Sequence, residues 1–269
     1  MMQFRAAGHS HPGWRRPGNE DSGYAGSSLL VVADGVGGAA AGEVASTTVA
    51  TLAAELAARA PDLDPAALLG TVVDRAAAAL RSHVAADPGA TGLGTTLTAL
   101  RTDGVRCGLV HLGDSRAYLL RGERLHRLTV DHSWGRAMVD AGHLTEDQAA
   151  RSPYRHRLMR WLGAEDPAEG HGLPDLGHLE LVVGDRVLLA SDGLSDEVDD
   201  RTIARLLAGA PAPAEAVNLL VTAALDDGGR DNVTCVVADV VDRPVRSEDG
   251  FLVGAARDVA GLRGAASAS

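Results

Sequence analysis

The sequence predicts an α+β protein in which helices pack against antiparallel β-sheets. Short apolar runs typical of strands come in clusters joined by turns, and two long helical segments follow one another directly. A doubly wound parallel sheet would instead require strands and helices to alternate along the chain. The order of the segments therefore favours helical layers on antiparallel sheets.

The N-terminal third contains a buried strand followed by the two long helices. Ser28–Ala33 is a continuous apolar run that ends at an Asp-Gly pair, as expected of a buried strand that leads into a tight turn. Ala41–Ala60 and Pro65–Ala86 are rich in Ala, Leu and Val at helical spacing. The break at Pro61 separates them into two helices.

The middle of the chain predicts a meander and then an excursion from the core. Thr95–Arg101, Val105–Leu112 and Arg116–Leu120 are short β-type runs separated by turn residues, which is typical of antiparallel strands. Ser133–Glu169 is polar and interrupted by Gly and Pro, so short helices are expected there.

The C-terminal half predicts a second buried strand, two helices and a closing strand. Arg186–Ala190 is apolar and again leads to an Asp-Gly turn. Thr202–Ala208 and Ala214–Leu225 have helical spacing, and Val233–Val240 has the composition of a strand.

Length and composition permit one large domain. The 269 residues are 45% hydrophobic and 23% charged, which argues against disorder. A chain of this size buries roughly three quarters of its unfolded surface. Residues 1–241 are predicted to form a single domain, and the Gly-, Ala- and Ser-rich residues 242–269 to form a flexible C-terminal tail.

Charge and cysteine usage exclude several classes of protein. The chain has 25 Lys plus Arg against 36 Asp plus Glu, a formal net charge of −11, which argues against binding to nucleic-acid phosphates. Cys107 and Cys235 lie in apolar runs without metal-type spacing, as expected of buried thiols in a reducing compartment. No apolar stretch approaches the ~20 residues that span a bilayer, and no signal peptide is evident. We expect a cytoplasmic monomer with no membrane partner.

Aspartates at the junctions between apolar runs and turns are the main chemical signal. Asp34 and Asp192 each follow a predicted buried strand and precede Gly. A single Asp-Gly pair is explained by turn or cap chemistry. Asp21, Asp114 and Asp231 also lie at such junctions, and turn chemistry does not explain why Asn19-Glu20-Asp21 and Asp231-Asn232 occur at matching ones.

Seven motifs together carry a family resemblance. In chain order they are Arg16–Asp21 (RPGNED), Asp34–Gly38 (DGVGG), Gly94–Thr96 (GTT), Gly113–Arg116 (GDSR), Asp131–Ser133 (DHS), Ser191–Asp196 (SDGLSD) and Asp231–Thr234 (DNVT). From about residue 4 to residue 240 the chain resembles the PP2C (PPM) family of metal-dependent serine/threonine protein phosphatases, in its bacterial form. The resemblance implies a four-layer αββα fold, a central antiparallel β-sandwich flanked on both faces by pairs of α-helices. It also implies a flap beside the active site at about residues 135–170.

The resemblance also implies ligands for two Mn²⁺ or Mg²⁺ ions, and a third in bacterial members. Asp34 would bridge two ions, with the Gly35 carbonyl joining the second, and Asp192 and Asp231 would hold the first. Glu20 and Asp21 would act on the second ion directly or through water, and Asp114 with Asp192 would bind the third.

Elementary electrostatics supports this ligand set. Two carboxylates about 4 Å apart repel by roughly 4 kcal/mol at an effective dielectric near 20, so a cluster needs protons or cations. Oxygen ligands without Cys or His select hard ions.

The implied reaction is hydrolysis of phosphoserine and phosphothreonine in proteins by a metal-bridging hydroxide, opposing bacterial serine/threonine kinases. Arg16 would clamp the phosphate, because its planar fork can hold two oxygens. The sequence departs from the family in two places. No His follows Asp34-Gly35, which leaves the general acid unassigned, and Arg151–His156 replaces the usual flap residues, which can alter substrate preference. His132 is expected to make a structural hydrogen bond.

The sequence leaves two alternative functions open. One is a regulatory phosphatase dedicated to an anti-sigma-factor antagonist, with the same chemistry. The other is a catalytically inert binding module of the same fold, although such modules usually lose the metal-binding aspartates.

Overall fold

Two antiparallel β-sheets form the centre of the molecule. The structure, a computed structural model, describes residues 1–37, 41–164, 173–242 and 250–258. The strands are β1 (Met2–His11), β2 (Asp21–Ala25), β3 (Leu29–Val36), β4 (Gly94–Thr95), β5 (Leu97–Thr102), β6 (Cys107–Leu112), β7 (Arg116–Arg121), β8 (Arg124–Arg127), β9 (Leu162–Gly163), β10 (Asp175–Leu179), β11 (Arg186–Ala190), β12 (Val233–Asp242) and β13 (Phe251–Gly254). The helices are α1 (Ala41–Arg59), α2 (Pro65–Ala86), α3 (Trp134–Asp140), α4 (Glu146–Ala150), α5 (Asp192–Ser195), α6 (Asp200–Gly209) and α7 (Pro213–Asp226).

The first sheet has the strand order β1-β12-β11-β7-β8, and the second has β10-β6-β5-β3-β2-β13, with β4 joining β3 to β9. Side chains from both sheets fill the space between them, including Leu30 and Val32 of β3 and Leu189 of β11. The alternate residues face outward, so Val31 packs with α1 and α2, and Leu188 packs with α6 and α7. Because side chains alternate along a strand and both faces are covered, these strands are continuously apolar. The four-layer αββα prediction is confirmed.

The long helices begin and end close to where the sequence placed them. Pro65–Ala86 matches the predicted bounds, since Asp64 caps its N-terminus by accepting hydrogen bonds from the backbone N–H groups of Ala66 and Ala67. Cys107 and Cys235 are buried free thiols, as predicted. In the described part of the chain, no helix combines the length and apolarity required to cross a bilayer.

The expectation of a flexible tail is wrong for residues 250–258. β13 pairs with β2, with Phe251 opposite Ala25 and Gly254 opposite Ser22. Val253 is buried between the two sheets, where Gly8 of β1 and Gly23 of β2 leave room for its side chain. The prediction rested on the average composition of residues 242–269, which does not reveal a four-residue apolar strand inside a Gly- and Ala-rich stretch. Residues 243–249 and 259–269 lie outside the described residues.

The docked strand yields a stability prediction. Val253→Ala is expected to lower the free energy of unfolding by about 1–2 kcal/mol, because it removes buried methyl groups from a packed contact. Urea denaturation followed by circular dichroism measures this. The matched control is Val105→Ala, an identical change at an exposed turn, with an expected effect within about 0.5 kcal/mol. Equal effects of the two substitutions would mean that β13 does not contribute to the fold.

Candidate active site

Acidic residues from separate segments meet at one end of the sandwich. In the β2–β3 pair, Asp21 lies directly opposite Asp34. Asp192 begins α5, two residues after β11 ends, and Asp231 lies two residues before β12 begins. Asp114 lies in the turn between β6 and β7. The ends of neighbouring strands therefore bring together residues that are up to about two hundred positions apart in the sequence.

These residues surround a cavity of about 380 Å³. Of the residues singled out from the sequence, the cavity is lined by Arg16, Glu20, Asp34, Gly35, Asp114, Asp192 and Asp231. The structure thus brings together every predicted site residue except one, Asp21, at the surface of a single cavity.

Asp21 lies outside this cavity and is fully buried. Its Oδ2 accepts a hydrogen bond from the Ser191 hydroxyl at 2.8 Å, and the same Ser191 oxygen accepts one from the Thr234 backbone N–H at 2.9 Å. Its Oδ1 has no hydrogen-bond partner among the described residues. Burial raises the pKa of Asp21 to about 7. Asp21, on the neighbouring strand, therefore acts on Asp34 through its charge rather than by lining the cavity.

The acidic groups strongly disfavour one another's ionisation. Without bound cations, burial and then the charges of Asp21 and Asp192 raise the pKa of Asp34 well above its ordinary value. Burial, followed by Asp196 and Asp231, raises the pKa of Asp192 to about 7, and burial followed by Asp192 raises that of Asp114. Such a cluster is stabilised by protons or by cations.

The donor set fits hard divalent cations. The cavity offers carboxylate oxygens and backbone carbonyls, which Mg²⁺ and Mn²⁺ prefer, and no thiolate lines it. Asp192 Oδ1 is buried without a hydrogen-bond partner in the described ranges, so a ligand-binding oxygen is available there. The residues present therefore fit the ions that the sequence predicted.

Two threonines fix the position of Asp34. The Asp34 backbone N–H donates to the Thr96 hydroxyl at 2.9 Å, and the Thr95 hydroxyl donates to the Asp34 carbonyl at 2.9 Å. The Thr96 hydroxyl also bonds the Ser115 hydroxyl at 2.7 Å, which links the turn that carries Asp114. The Gly-Thr-Thr motif is thus explained as the support of the central aspartate.

Asn232 ties the N-terminal loop to the site. Its Oδ1 accepts the Glu20 backbone N–H at 2.8 Å, and its Nδ2 donates to the carbonyls of Pro12 and Gly18 at 2.9 and 2.8 Å. Gly13 has φ +74°, and a Cβ there would come within 2.2 Å of the Asp231 carbonyl. Only glycine therefore permits this approach of the loop to Asp231.

Arg16 lies at the mouth of the cavity. Its Nη2 donates to Asp231 Oδ2 at 2.6 Å, and its side chain is 52% exposed. The hydrogen bond to Asp231 raises the pKa of the guanidinium, so it stays charged. The cation is thus held beside the acidic cluster while remaining accessible to a ligand.

His132 has the structural role that was predicted. Its Nδ1 accepts the Gly113 backbone N–H at 3.2 Å, and its Nε2 lies 3.0 Å from Asp175 Oδ2. The ring is buried, and it contacts the ring of His111 at 4.5 Å. These contacts hold the turn before Asp114.

The flap brings His156 to the cavity, a contact that sequence analysis did not predict although it noted the stretch Arg151–His156. Residues 134–164 contain α3, α4 and β9, and they bring His156 and Leu158 to the cavity. His156 Nδ1 lies 3.2 Å from Asp196 Oδ2, and ligand atoms of Asp114, His156 and Asp192 all lie within 4.8 Å of one another. No histidine follows Asp34-Gly35, and the imidazole of His156 instead reaches the cavity from the flap. Sequence spacing does not predict this contact, because it depends on the path of the flap. Residues 165–170 of the predicted flap, and Gly38, lie outside the described residues.

The fold and the cavity define a class of protein with an oxygen-lined site for divalent cations at the end of an αββα sandwich. A sequence model of the protein phosphatase 2C family matches residues 19–226, and the chain belongs to this family. The resemblance inferred from the seven motifs is confirmed.

Two named relatives and one solved structure are protein phosphatases, in agreement with this family. The chain is 45% identical over 255 residues to the serine/threonine protein phosphatase PstP of Mycobacterium tuberculosis, which covers 94% of this chain and 48% of the relative. It is 30% identical over 246 residues to the protein phosphatase PhpP of Streptococcus pneumoniae, covering 85% of this chain and 94% of the relative. The catalytic domain of PstP in complex with two manganese ions aligns with a TM-score of 0.82 at 44% identity, covering 90% of this chain and 100% of that chain. The chain spans about half the length of the PstP relative.

The raised carboxyl pKa values yield a prediction about stability. Because the folded pKa of Asp192 lies above its ordinary value, its contribution to stability is present at low pH and is lost as pH rises through about 7. In chelator-treated protein, Asp192→Asn should therefore be more stable than wild type at pH 8, by on the order of 1–2 kcal/mol. The advantage should shrink at pH 5.

Thermal unfolding at the two pH values measures the difference. Asp74→Asn is the matched control, since Asp74 is an exposed residue of α2. A destabilised Asp192→Asn at pH 8 would contradict the assigned repulsion.

Proposed function

We propose that this chain hydrolyses phosphoserine and phosphothreonine in proteins with the help of bound Mn²⁺ or Mg²⁺. The observation that carries the proposal is the meeting of Glu20, Asp34, Asp114, Asp192 and Asp231 in one cavity. Membership of the protein phosphatase 2C family and the phosphatase names of the relatives support the same activity. Its substrates would be proteins modified by bacterial serine/threonine kinases, or those kinases themselves.

Asp34 is the residue best placed to contact two cations. After burial, the charges of four other carboxylates raise its pKa, those of Asp21, Asp192, Asp114 and Asp231. Asp34 would contact both ions and the Gly35 carbonyl would contact the second, while Asp192 and Asp231 would hold the first. When bound, the pair of cations supplies a water activated for attack on phosphorus near neutral pH.

The remaining acidic residues complete the site. Glu20 lines the cavity and is assigned to the second ion. Asp21 supports that ion from outside the cavity. Asp114 with Asp192 is assigned to a third ion, and their close approach supports this. The two manganese ions named for the PstP catalytic domain support at least two metal positions.

Arg16 is the residue assigned to the phosphate. Guanidinium carries five N–H donors, and among the described residues one contact, to Asp231, is made. The other donors are available for phosphoryl oxygens, which a planar fork holds in pairs. Arg16 would therefore orient the substrate and neutralise charge on it as the bond to phosphorus breaks.

The inert binding module is disfavoured, because all the acidic positions are retained and they converge. Dedication to an anti-sigma-factor antagonist involves the same chemistry and remains a prediction. A cytoplasmic location and a monomeric state likewise remain predictions from the sequence.

Removing the central carboxylate should abolish activity. Asp34→Asn is expected to lower the rate of p-nitrophenyl phosphate hydrolysis with Mn²⁺ at least about 100-fold, because it removes a ligand shared by two ions. Calorimetric titration should show weaker Mn²⁺ binding by the same variant. A chelator should abolish hydrolysis by the wild-type protein, and added Mn²⁺ should restore it. Asp74→Asn serves as the control, and near-normal turnover by Asp34→Asn would refute the assignment.

Removing the guanidinium should affect substrate more than metal. Arg16→Ala is expected to raise KM for phosphopeptides about tenfold, because it removes a bidentate contact to phosphate. The Mn²⁺ concentration for half-maximal activity should change less. Arg15→Ala, a change at the neighbouring exposed arginine, is the control. A KM that stays at the wild-type value would reject Arg16 as the clamp.

A further inference from the structure

A second cavity continues from the catalytic cavity beneath the flap. Its volume is about 290 Å³, and it shares Asp114, His156 and Asp192 with the catalytic cavity. Flap residues of α3 and α4 form one side, and β7, β8 and α5 form the other. Arg16 and Glu20 line the catalytic cavity but not this one. A substrate whose phosphate lies beside Arg16 can therefore place a neighbouring side chain here.

Arginines outnumber their partners on the inner side of this cavity. Asp131 is the one carboxylate paired with both Arg116 and Arg127, and its distance to Arg116 Nη2 is 2.7 Å. Both arginine side chains are largely buried, at 19% and 29% exposure. The whole lining contains four arginines, and once Asp114 and Asp192 are assigned to cations the carboxylates left to balance them are Asp131, Glu146 and Asp196. The lining of the metal-loaded cavity therefore has one positive charge in excess, in a partly dehydrated place where charge is weakly screened.

Arg155 faces the same cavity from the flap. Its backbone is fixed, because its N–H donates to the Ser152 carbonyl and its carbonyl accepts from the Gly135 N–H, each at 3.2 Å. Its exposed side chain makes no ion pair or hydrogen bond with any residue in the described part of the chain. The guanidinium is therefore anchored at its base and available at its tip.

Two further carboxylates of the cavity have partners. Glu146 lies 2.8 Å from Arg136, and Asp196 lies 3.2 Å from His156. Burial raises the pKa of Asp196, and the charges of Arg116 and Arg155 act against that rise, so Asp196 is also near these two arginines without forming an ion pair with Arg155. Asp114 and Asp192 belong to the candidate metal site. A hydroxyl donor is also present, since Ser195 Oγ lines the cavity and is buried without a hydrogen-bond partner among the described residues.

The outer surface of the flap has the same sign of charge. Residues 151–160 contain four arginines and no acidic residue, although the chain has a formal net charge of −11. Arg151 and Arg157 are exposed on the turn that carries Arg155. An anionic segment of a substrate is therefore attracted to the flap and repelled by much of the remaining surface.

We propose that the cavity beneath the flap binds one anionic side chain of the substrate, located close in sequence to the phosphorylated residue. Arg155 is the residue that selects it, with the Arg116–Asp131–Arg127 group and the Ser195 hydroxyl behind it. The ligand is a carboxylate of Asp or Glu or a second phosphoryl group, since both accept charge-assisted hydrogen bonds from guanidinium. This inference rests on the proposed phosphatase function and specifies its substrate class.

The test uses the Mn²⁺-loaded protein and a set of phosphothreonine peptides. The peptides are identical except that one Asp, or a matched Asn, is moved stepwise along either side of the phosphothreonine. A further arm carries the non-hydrolysable phosphonate analogue of phosphoserine at the preferred position. The readout is the ratio of kcat/KM for the anionic peptide to that for its Asn match, measured for the wild type, Arg155→Gln and Arg151→Gln. Arg151→Gln removes an equal charge from the same turn but not from the cavity.

Wild type should favour an anionic residue at one position by about fivefold, and the preference should decline as salt is raised. Arg155→Gln should reduce the ratio to below about twofold, while Arg151→Gln keeps it. Arg155→Glu should reverse the preference towards a Lys-containing peptide, a gain that misfolding does not produce. A larger ratio for the phosphonate than for Asp would identify a second phosphate as the preferred ligand.

Equal rates for Asp and Asn peptides at every position would overturn the proposal. Equal losses in Arg155→Gln and Arg151→Gln would also overturn it, because a general field rather than the cavity would then be responsible. Failure of wild type to hydrolyse any peptide or p-nitrophenyl phosphate with Mn²⁺ would instead refute the proposed function on which it rests.

Discussion

Repulsion between carboxylates that share a partly buried cavity is the constraint around which this end of the molecule is organised. Burial and mutual charge raise the pKa values of Asp34, Asp114 and Asp192 together, so these groups are unfavourable for folding unless a cation or proton joins them. Hydrogen bonds to the neighbouring backbone prevent these carboxylates from moving apart. Hydroxyl and amide groups hold the backbone on both sides of it, as Thr96 does for Asp34 and Asn232 does for Glu20.

The stability that permits such a site comes from elsewhere in the fold. Leu30, Val32 and Leu189 are fully buried between the sheets, and each outer sheet face is covered by its own pair of helices. Each such side chain contributes roughly 1.5–3 kcal/mol by burial. A core of this size offsets the unfavourable free energy of several clustered carboxylates at one edge of the sandwich. It also keeps these carboxylates close enough to share ions when no metal is bound.

The parts of the structure that sequence analysis predicted are those with local signals. Pro65–Ala86 and Arg186–Ala190 have the predicted bounds, because helical spacing with a capping Asp and a continuous apolar run are strong signals. β2 and β13 were missed, because β2 is short with few apolar residues and β13 is a four-residue apolar run inside a Gly- and Ala-rich stretch; the two strands pair with each other. The acidic site residues came from motifs, whereas His156 and Arg155 reach the site through the path of the flap. Asp21 lies outside the cavity that Glu20 lines, and its action on the second ion, directly or through water, stays a prediction.

The charge distribution explains why basic residues are concentrated where they are. A phosphorylated substrate that approaches a chain with a formal net charge of −11 is repelled over much of the surface. Arg16 offsets it at the mouth of the site, and the arginines of the flap offset it on the adjoining side. Asp231 holds the Arg16 guanidinium before substrate arrives, whereas the flap fixes the backbone of Arg155 and leaves its side chain to order on binding. Preorganised charge loses little on binding, so Arg16 can recognise the phosphate without additional buried surface.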